Sequence, residues 1–227
     1  MKYKHLTVVV LAKNEEKSIA AVIKDARRFT DDILVVDGHS RDRTKKIARR
    51  WGARVVEDNG RGKGNGIRVA IENVEREIVV FIDADGSHDP NDIPRLIQPI
   101  LDGQADHVSG SRATGGSDEL HGDLSNFIRK TGNDIIALGI NYRFGVRLTE
   151  SQNGFRAIKT AVARDLNLRE NITTIEQEMI IKTLRKGYKI AEVSTHEYKR
   201  LYGKSRIDLK KVWFRYIYSW LKYLLVG

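Results

Sequence analysis

Short β-branched apolar runs that stop abruptly on carboxylates constrain this chain most. Leu6 to Leu11 reads LTVVVL, Ile33 to Val36 reads ILVV, and Val79 to Ile82 reads VVFI. Such runs lack the alternation of a half-solvated strand, so each is expected to be buried on both faces. Helical patterns separate them. Asn14-Glu15-Glu16 opens one with Ile19, Val22, Ile23 and Ala26 on one side. Asp42 to Arg50, Ile67 to Val74 and Asn91 to Leu101 give three more, with Asp89 or Asn91 as a cap for the last. Arg54 to Glu57, Ile78 to Ile82 and Asp106 to Ser109 complete the early strands. The alternation predicts right-handed βαβ units and a mostly parallel α/β sheet flanked by helices. Past residue 110 the rhythm changes. Ala113 to Gly122 reads as a Gly/Ser/Asp-rich loop, Leu124 to Leu138 and Ile175 to Lys186 as helices, and Lys189 to Val193 as a strand. Gly187 suits the C-cap of the second helix.

Ligands of such sheets bind outside the carboxyl ends of the strands. Here those ends carry Asn14 and Glu15, Asp37, Glu57 and Asp58, and Asp83 and Asp85. Asp83-Ala84-Asp85 is the sharpest case, because two close carboxylates repel unless a cation neutralises them. Mg2+ or Mn2+ meets that need and shares its shell with a diphosphate. A polar turn is the plainer alternative. The loop Gly60-Arg61-Gly62-Lys63-Gly64 offers backbone N–H groups and two cations to phosphate, or is a flexible surface loop. It lacks the spacing of a nucleoside-triphosphatase loop. Glu150 to Arg156, ESQNGFR, suits a loop that approaches a ligand, and an ordinary turn is the alternative. In Tyr198 to Arg206, YKRLYGKSR, Arg200 and Arg206 are placed to clamp a diphosphate, unless the run is a solvated edge. The six histidines show no paired-ligand spacing and read as structural.

The 227 residues are 41% hydrophobic and 31% charged, which fits one folded α/β domain with a small appendage. There is no cysteine, so disulfide and thiol chemistry are excluded. The amino terminus lacks the pattern of a secretory leader, from which a cytoplasmic location is expected. No window reaches about 18 uncharged apolar residues, so no membrane span is expected. The net charge of +10 is uneven: His196 to Gly227 holds eight Lys/Arg against two acids. That excess points to nucleic acid, a nucleotide or an anionic membrane. In residues 207–227, Leu209, Val212, Trp213, Tyr216, Ile217, Trp220, Leu221 and Leu224 recur at helical spacing. Lys210, Lys211, Arg215 and Lys222 fall off this stripe. An amphipathic, membrane-interfacial helix fits. Packing on the core or on a second subunit is the alternative. The expected division is a catalytic domain over 1–206 and this helix over 207–227.

Taken in order, VVVLAKNEE, VVDGHSRDRT, GRGKGNGI, FIDADGSHDP, GSR, ESQNGFR, EQEMIIKTLRKGYKIAEV and YKRLYGKSR resemble the family 2 glycosyltransferases of GT-A (Rossmann-like) fold. Among these the chain looks most like the dolichyl- or polyprenyl-phosphate mannose and glucose synthases, over about residues 5 to 206. The resemblance implies inverting transfer of a sugar from a nucleotide diphosphate to a lipid monophosphate at a membrane surface, with Mg2+ or Mn2+. It implies that Asn14, Glu15, Asp37 and Lys63 cradle the nucleotide-sugar, and that Asp83 and Asp85 engage nucleotide and metal. Arg112, with Arg129 and Lys130 as helpers by location, and Arg156 are assigned to the acceptor phosphate. Glu150 orients acceptor or donor, and Arg200 and Arg206 meet the leaving diphosphate.

The chain departs from the family pattern at Gly38-His39, at Ala12-Lys13 and at Glu150, where Asp is usual, and has Ser87 where some relatives place a metal-binding Gln. UDP and GDP donors both stay open, with glucose or another UDP-linked sugar ahead of mannose. Two other readings remain. One is a family 2 enzyme with a saccharide hydroxyl acceptor and Glu150 as base. The other is a basic nucleic-acid-binding protein, which the acid-lined strand ends oppose.

Overall fold

The computed structural model describes residues 2–118, 124–200, 202 and 209–225. Strands and helices alternate first: β1 (Leu6–Ala12), α1 (Ile19–Ala26), β2 (Asp32–Asp37), α2 (Thr44–Arg50), β3 (Arg54–Glu57), α3 (Lys63–Asn73), β4 (Ile78–Asp83), α4 (Ile93–Leu101) and β5 (His107–Ser111). Then come α5 (Arg112–Gly115), α6 (Leu124–Phe144), β6 (Arg156–Lys159), α7 (Thr160–Asp165), α8 (Ile175–Arg185), β7 (Ile190–Ser194) and α9 (Leu209–Leu225). Among the described residues the strands form one sheet in the order β3-β2-β1-β4-β6-β5-β7. Only β6 runs antiparallel to its neighbours.

Both faces of the sheet are covered, which is why the strands read as unbroken apolar runs. Val8, Val10, Val35, Val80 and Ile82 pack against Ile19, Ile23, Leu96 and Ile97 of α1 and α4. Val9, Leu34, Val36 and Phe81 pack against Ile67, Ala70 and Met179 of α3 and α8 on the other face. A third cluster joins Ile136 and Ile140 of α6, Ile180 and Ile181 of α8, and Tyr223 and Leu224 of α9. The tail helix is therefore packed on the body of the protein along one side.

Chain order reverses between β1 and β4, and the crevice above that reversal is where such sheets take ligands. The register levels the acids there. Ala12 pairs with Asp37, Leu11 with Asp83, and Asp37 with Glu57. Several local expectations need correction. The glycine-rich segment is not a loop through Gly64, since α3 begins at Lys63. The helical turn Arg112–Gly115 takes up the start of the loop expected over Ala113 to Gly122. β6 and α7 carried no strand or helix signal of their own, and α6 runs on to Phe144.

Candidate active site

Lys63 holds the floor of the crevice together. Its ammonium donates to Asp83 Oδ2 at 2.8 Å and reaches Glu176 Oε1 at 3.1 Å. Glycines make that approach possible. Gly62 sits at φ 115, and a side chain on Gly64 would come within 2.6 Å of the Glu170 carbonyl. The amino end of α3 thus lies directly against the segment that leads into α8. Gly154 leaves the space that the Lys63 ammonium fills. Burial opposes charge on Lys63, but the Asp83 and Glu176 carboxylates outweigh it and raise its pKa. Burial likewise opposes charge on Asp83, and Lys63, His88 and Arg200 outweigh it and hold its carboxyl below the usual range. Burial pushes Glu176 up, only partly offset by Lys63 and Arg156. Glu176 Oε2 is buried with no hydrogen-bond partner among the described residues.

Asp85 is fixed from both sides. Its Oδ1 accepts from the Ser87 amide at 3.0 Å and the Ser87 hydroxyl at 2.7 Å. Its Oδ2 lies 3.0 Å from Arg200. Ser87 thus braces the turn that aims Asp85. His88 is buried and stacks on Phe155 at 5.1 Å. Burial lowers its pKa despite the nearby Asp83, Glu197 and Asp85.

Arg112 is gripped by two acids. Its Nε donates to Glu150 Oε2 at 2.8 Å, and its Nη1 to Glu197 Oε1 at 3.1 Å. Burial opposes the guanidinium charge, but both carboxylates outweigh it and raise its pKa. Glu197 also accepts from the Ser117 hydroxyl at 2.6 Å. Glu192 holds the loop in place by accepting from the Thr149 and Glu150 amides. Glu176, Glu192 and Glu197 were given no role by the sequence, although the first two lie in the run EQEMIIKTLRKGYKIAEV. The available signal for Glu197 was its place just past the carboxyl end of β7.

Asn14, Glu15 and Asp37 converge on one loop. Asn14 Oδ1 accepts from the Arg41 amide at 2.7 Å, and the Glu15 amide donates to Thr44 Oγ1 at 2.8 Å. Asp37 Oδ1 accepts from the Ser40 amide at 2.7 Å. Asp37 Oδ2 is buried without a hydrogen-bond partner among the described residues. Arg156 is not at the mouth of the crevice. It is completely buried and donates to the backbone carbonyls of Asn153 and Glu176, because it begins the central antiparallel strand. Burial lowers its pKa to about 10, so it stays a cation at neutral pH. That position corrects its assignment to the acceptor phosphate and makes it a support for the loop. Arg129 is half-buried on α6, and Lys130 is exposed. Arg206 lies outside the described residues.

The crevice therefore alternates charge: Asp83 with Lys63, Asp85 with Arg200, and Glu150 and Glu197 with Arg112. Asp83 and Asp85 are the carboxylates that could hold a divalent ion. No cluster of three His, Cys, Asp or Glu forms a metal site among the described residues. Two carboxylates with a substrate diphosphate suit Mg2+ or Mn2+, which keep part of their shell for phosphate and water.

A mostly parallel sheet wound this way, with an Asp-x-Asp pair at its carboxyl edge, defines a GT-A-like glycosyltransferase. The chain belongs to glycosyl transferase family 2, whose sequence model matches residues 7–175. A dolichyl-phosphate hexose transferase of Haloferax volcanii is 33% identical over 206 residues, covering 89% of this chain and 86% of that protein. The glycosyltransferase AglJ of the same organism is 32% identical over 189 residues, covering 82% of this chain and 61% of its own length. Among solved structures, glucosyl-3-phosphoglycerate synthase from Mycobacterium tuberculosis, in complex with Mn2+, UDP and glucosyl-3-phosphoglycerate, superposes with a TM-score of 0.77. It covers 99% of this chain and 81% of that one at 23% identity, a likeness of fold.

Proposed function

We propose that this glycosyltransferase moves a hexose from a nucleoside diphosphate to a dolichyl or polyprenyl phosphate, with inversion. A UDP-linked sugar such as glucose ranks ahead of mannose as the donor. The observation that carries the lipid acceptor is the placement of Tyr216. This residue of the aromatic-rich helix α9 shares a hydrogen bond with Thr173, and its carbonyl accepts from Gln177 at 3.0 Å. Burial, then the charge of nearby Glu176, raises the Tyr216 pKa to about 12. An amphipathic helix thus borders the same Glu176 that holds Lys63, as an enzyme joining a charged donor to a lipid needs. The dolichyl-phosphate hexose transferase of Haloferax volcanii supports the same acceptor class.

A phosphate oxygen is already anionic, so attack needs no strong general base. Glu150 is committed on both oxygens: Oε2 accepts from the Arg112 guanidinium and Oε1 from the Gln152 amide. That pairing favours a phosphate acceptor over a saccharide hydroxyl. Rate then comes from placing the acceptor oxygen in line with the leaving diphosphate. Lys63 and Arg200 lie beside the Asp-x-Asp pair, where leaving-group charge would develop, and Arg206 follows in the same segment. Arg112, with Arg129, serves the acceptor phosphate. Asn14, Glu15 and Asp37 form the nucleoside end of the crevice. Mg2+ or Mn2+ held by Asp83 and Asp85 would neutralise the diphosphate as it leaves. The tail helix would hold the enzyme at the cytoplasmic face of a membrane.

A donor screen tests this reading. UDP-glucose, UDP-N-acetylglucosamine and GDP-mannose are each offered with polyprenyl phosphate and Mg2+ or Mn2+. A lipid-linked hexose is expected. Transfer to saccharide hydroxyls, with none to lipid phosphate, would overturn it.

A further inference from the structure

Gln177 lies wholly buried on α8, with Ile175, Met179, Ile180 and Ile181 of the same helix. An apolar side chain would carry no polar cost there, whereas a buried amide needs both of its ends satisfied. Both are. Its Nε2 donates to the Tyr216 carbonyl of α9 at 3.0 Å. Its Oε1 accepts from Gln152 Nε2 at 2.9 Å. The orientation is forced, because a carbonyl only accepts. Nε2 must face α9, and Oε1 is left to face Gln152, which must then present its own Nε2. Gln152 Oε1 is buried with no hydrogen-bond partner among the described residues, a cost that this link imposes.

The link continues into the crevice. The Gln152 amide donates to Glu150 Oε1 at 2.9 Å, and Glu150 Oε2 accepts from Arg112 Nε at 2.8 Å. Tyr216, Gln177, Gln152, Glu150 and Arg112 therefore form one chain of hydrogen bonds, from the tail helix to the guanidinium. The other ties of this loop act elsewhere. Asn133 of α6 accepts from the Ser151 amide and hydroxyl, and Glu192 accepts from the Thr149 and Glu150 amides. Those bonds hold residues 149–151. The Gln177 contact holds residue 152, whose amide fixes the second oxygen of Glu150. At the far end Tyr216 is seated by its hydroxyl, which shares a hydrogen bond with Thr173 just ahead of α8. Both polar groups of Tyr216 thus attach the tail helix to the start of α8.

We propose that Gln177 is a positioning residue that transmits the seating of α9 to Arg112. With α9 docked, Gln177 holds Gln152, Gln152 holds Glu150, and the guanidinium is shared evenly between Glu150 and Glu197. With α9 unseated, Glu150 is free to turn and Arg112 leans on Glu197. The tail helix is then a working part of the acceptor side. A buried chain suits this role, since each of its bonds is stronger away from water. The duty of Arg112 toward the acceptor phosphate rests on the reading above, but the coupling of α9 to the loop does not.

The test combines hydrogen exchange with kinetics on the full chain. Gln177→Met and Gln152→Met keep side-chain length while removing the amides, and Tyr216→Phe removes only the hydroxyl bond to Thr173. Thermal melts check that each variant folds. Gln177→Met should speed amide exchange over 150–153. It should also raise the KM for a short, water-soluble prenyl phosphate about fivefold, with donor KM within about twofold of the unaltered value. A chain in series breaks only once, so Gln152→Met combined with Gln177→Met should cost no more than the worse single variant. Tyr216→Phe should also speed exchange over 150–153, by less. A lower melting temperature in Gln177→Met, with exchange over 150–153 and acceptor KM unchanged, would reduce Gln177 to packing and overturn the proposal. Additive effects of the two Met variants would overturn it too, as would faster exchange in Tyr216→Phe that stops at α9. If the unaltered protein turns over no prenyl phosphate while Gln177→Met and Tyr216→Phe still speed exchange over 150–153, the proposed function fails and the coupling stands.

Discussion

Lys63 and Glu176 lie 3.1 Å apart, which ties the first turn of α3 to the first turn of α8 directly beneath Asp83. Lys63 is the cation both carboxylates share. Lys63→Met would leave two acids facing each other in a crevice largely closed to water. Losing one partner of a buried pair costs about 3 kcal/mol, because the remaining charge is stranded. A urea-midpoint comparison should show a loss of that order. Glu176→Gln keeps an acceptor for Lys63 and leaves its pair with Asp83 intact, so it should cost far less. Equal losses for the two variants would show that Lys63 does not carry the layer.

Asp85 presents a cleaner separation of stability from activity. Asp85→Asn keeps an Oδ1 acceptor for the Ser87 amide and hydroxyl, so the turn should persist, and loss of the Arg200 pair should lower the melting temperature only modestly. The variant loses half of the charge that the Asp-x-Asp pair brings to a diphosphate-bound cation. Sugar transfer should drop about 100- to 1000-fold. Mn2+ titration in the presence of UDP should show weakened metal binding. Full activity in Asp85→Asn would remove this carboxylate from the mechanism.

Some of this architecture is legible in the sequence because local and tertiary demands agree. LTVVVL and VVFI can only be strands covered on both faces, and Asp37 and Asp83 mark where those strands end. The glycine-rich segment misleads for a physical reason. Glycines usually loosen a chain, yet Gly62 and Gly64 permit close backbone packing against residues 170–172, and Lys63 starts a helix. Arg156 misleads in the same way, since an arginine beside a Gly-Phe turn looks exposed until an antiparallel strand carries it inside. Glu176 and Glu197 were hidden because their roles depend on Lys63 and Arg112, more than eighty residues away in each case. The tail helix was half legible. Its apolar period is plain, but only the packing divides Tyr216 and Tyr223 from Phe214 and Leu221.

His107 gives a pH signature independent of the crevice. It is fully buried in β5, and its Nδ1 lies 3.0 Å from Thr183 Oγ1. The Thr183 hydroxyl donates to the Met179 carbonyl, so its oxygen accepts from His107 Nδ1–H. Nε2 is then the unprotonated nitrogen, buried without a hydrogen-bond partner among the described residues. Burial, with Arg156 nearby, holds the His107 pKa well below 6.5. Above that pH neither folded nor unfolded chain is protonated at this site, and it adds no pH dependence. As pH falls below 6.5 the unfolded chain takes up a proton that the folded chain refuses. Stability declines until the lower folded value is reached, by up to about 1.4 kcal/mol per pH unit. His107→Asn can still donate to Thr183 and cannot titrate. Denaturation midpoints between pH 7 and 5 should fall less for it than for the unaltered protein. Parallel profiles would show that His107 does not set the slope.

Arg112 offers the sharpest test of how the acceptor side is held. Its planar guanidinium bridges Glu150 on the loop before β6 and Glu197 beyond β7, a tie additional to the Glu192 carboxylate's bonds to the Thr149 and Glu150 amides. Lysine carries the charge but not the fork, so Arg112→Lys can serve one of these carboxylates well but not both. If the guanidinium also meets the acceptor phosphate, the KM for prenyl phosphate should rise about tenfold or more, with donor KM nearly unchanged. Glu197→Gln keeps an oxygen for the Ser117 hydroxyl and removes only its charge. Burial opposes charge on Glu197, and Arg112 then outweighs it and holds the pKa low, so the native pair is ionic at neutral pH. With that charge gone, Arg112 should lean toward Glu150, and acceptor KM should rise by less than in Arg112→Lys. Steady-state kinetics with acceptor and donor varied separately distinguishes the two. A rise in donor KM alone would place Arg112 on the diphosphate instead of the acceptor.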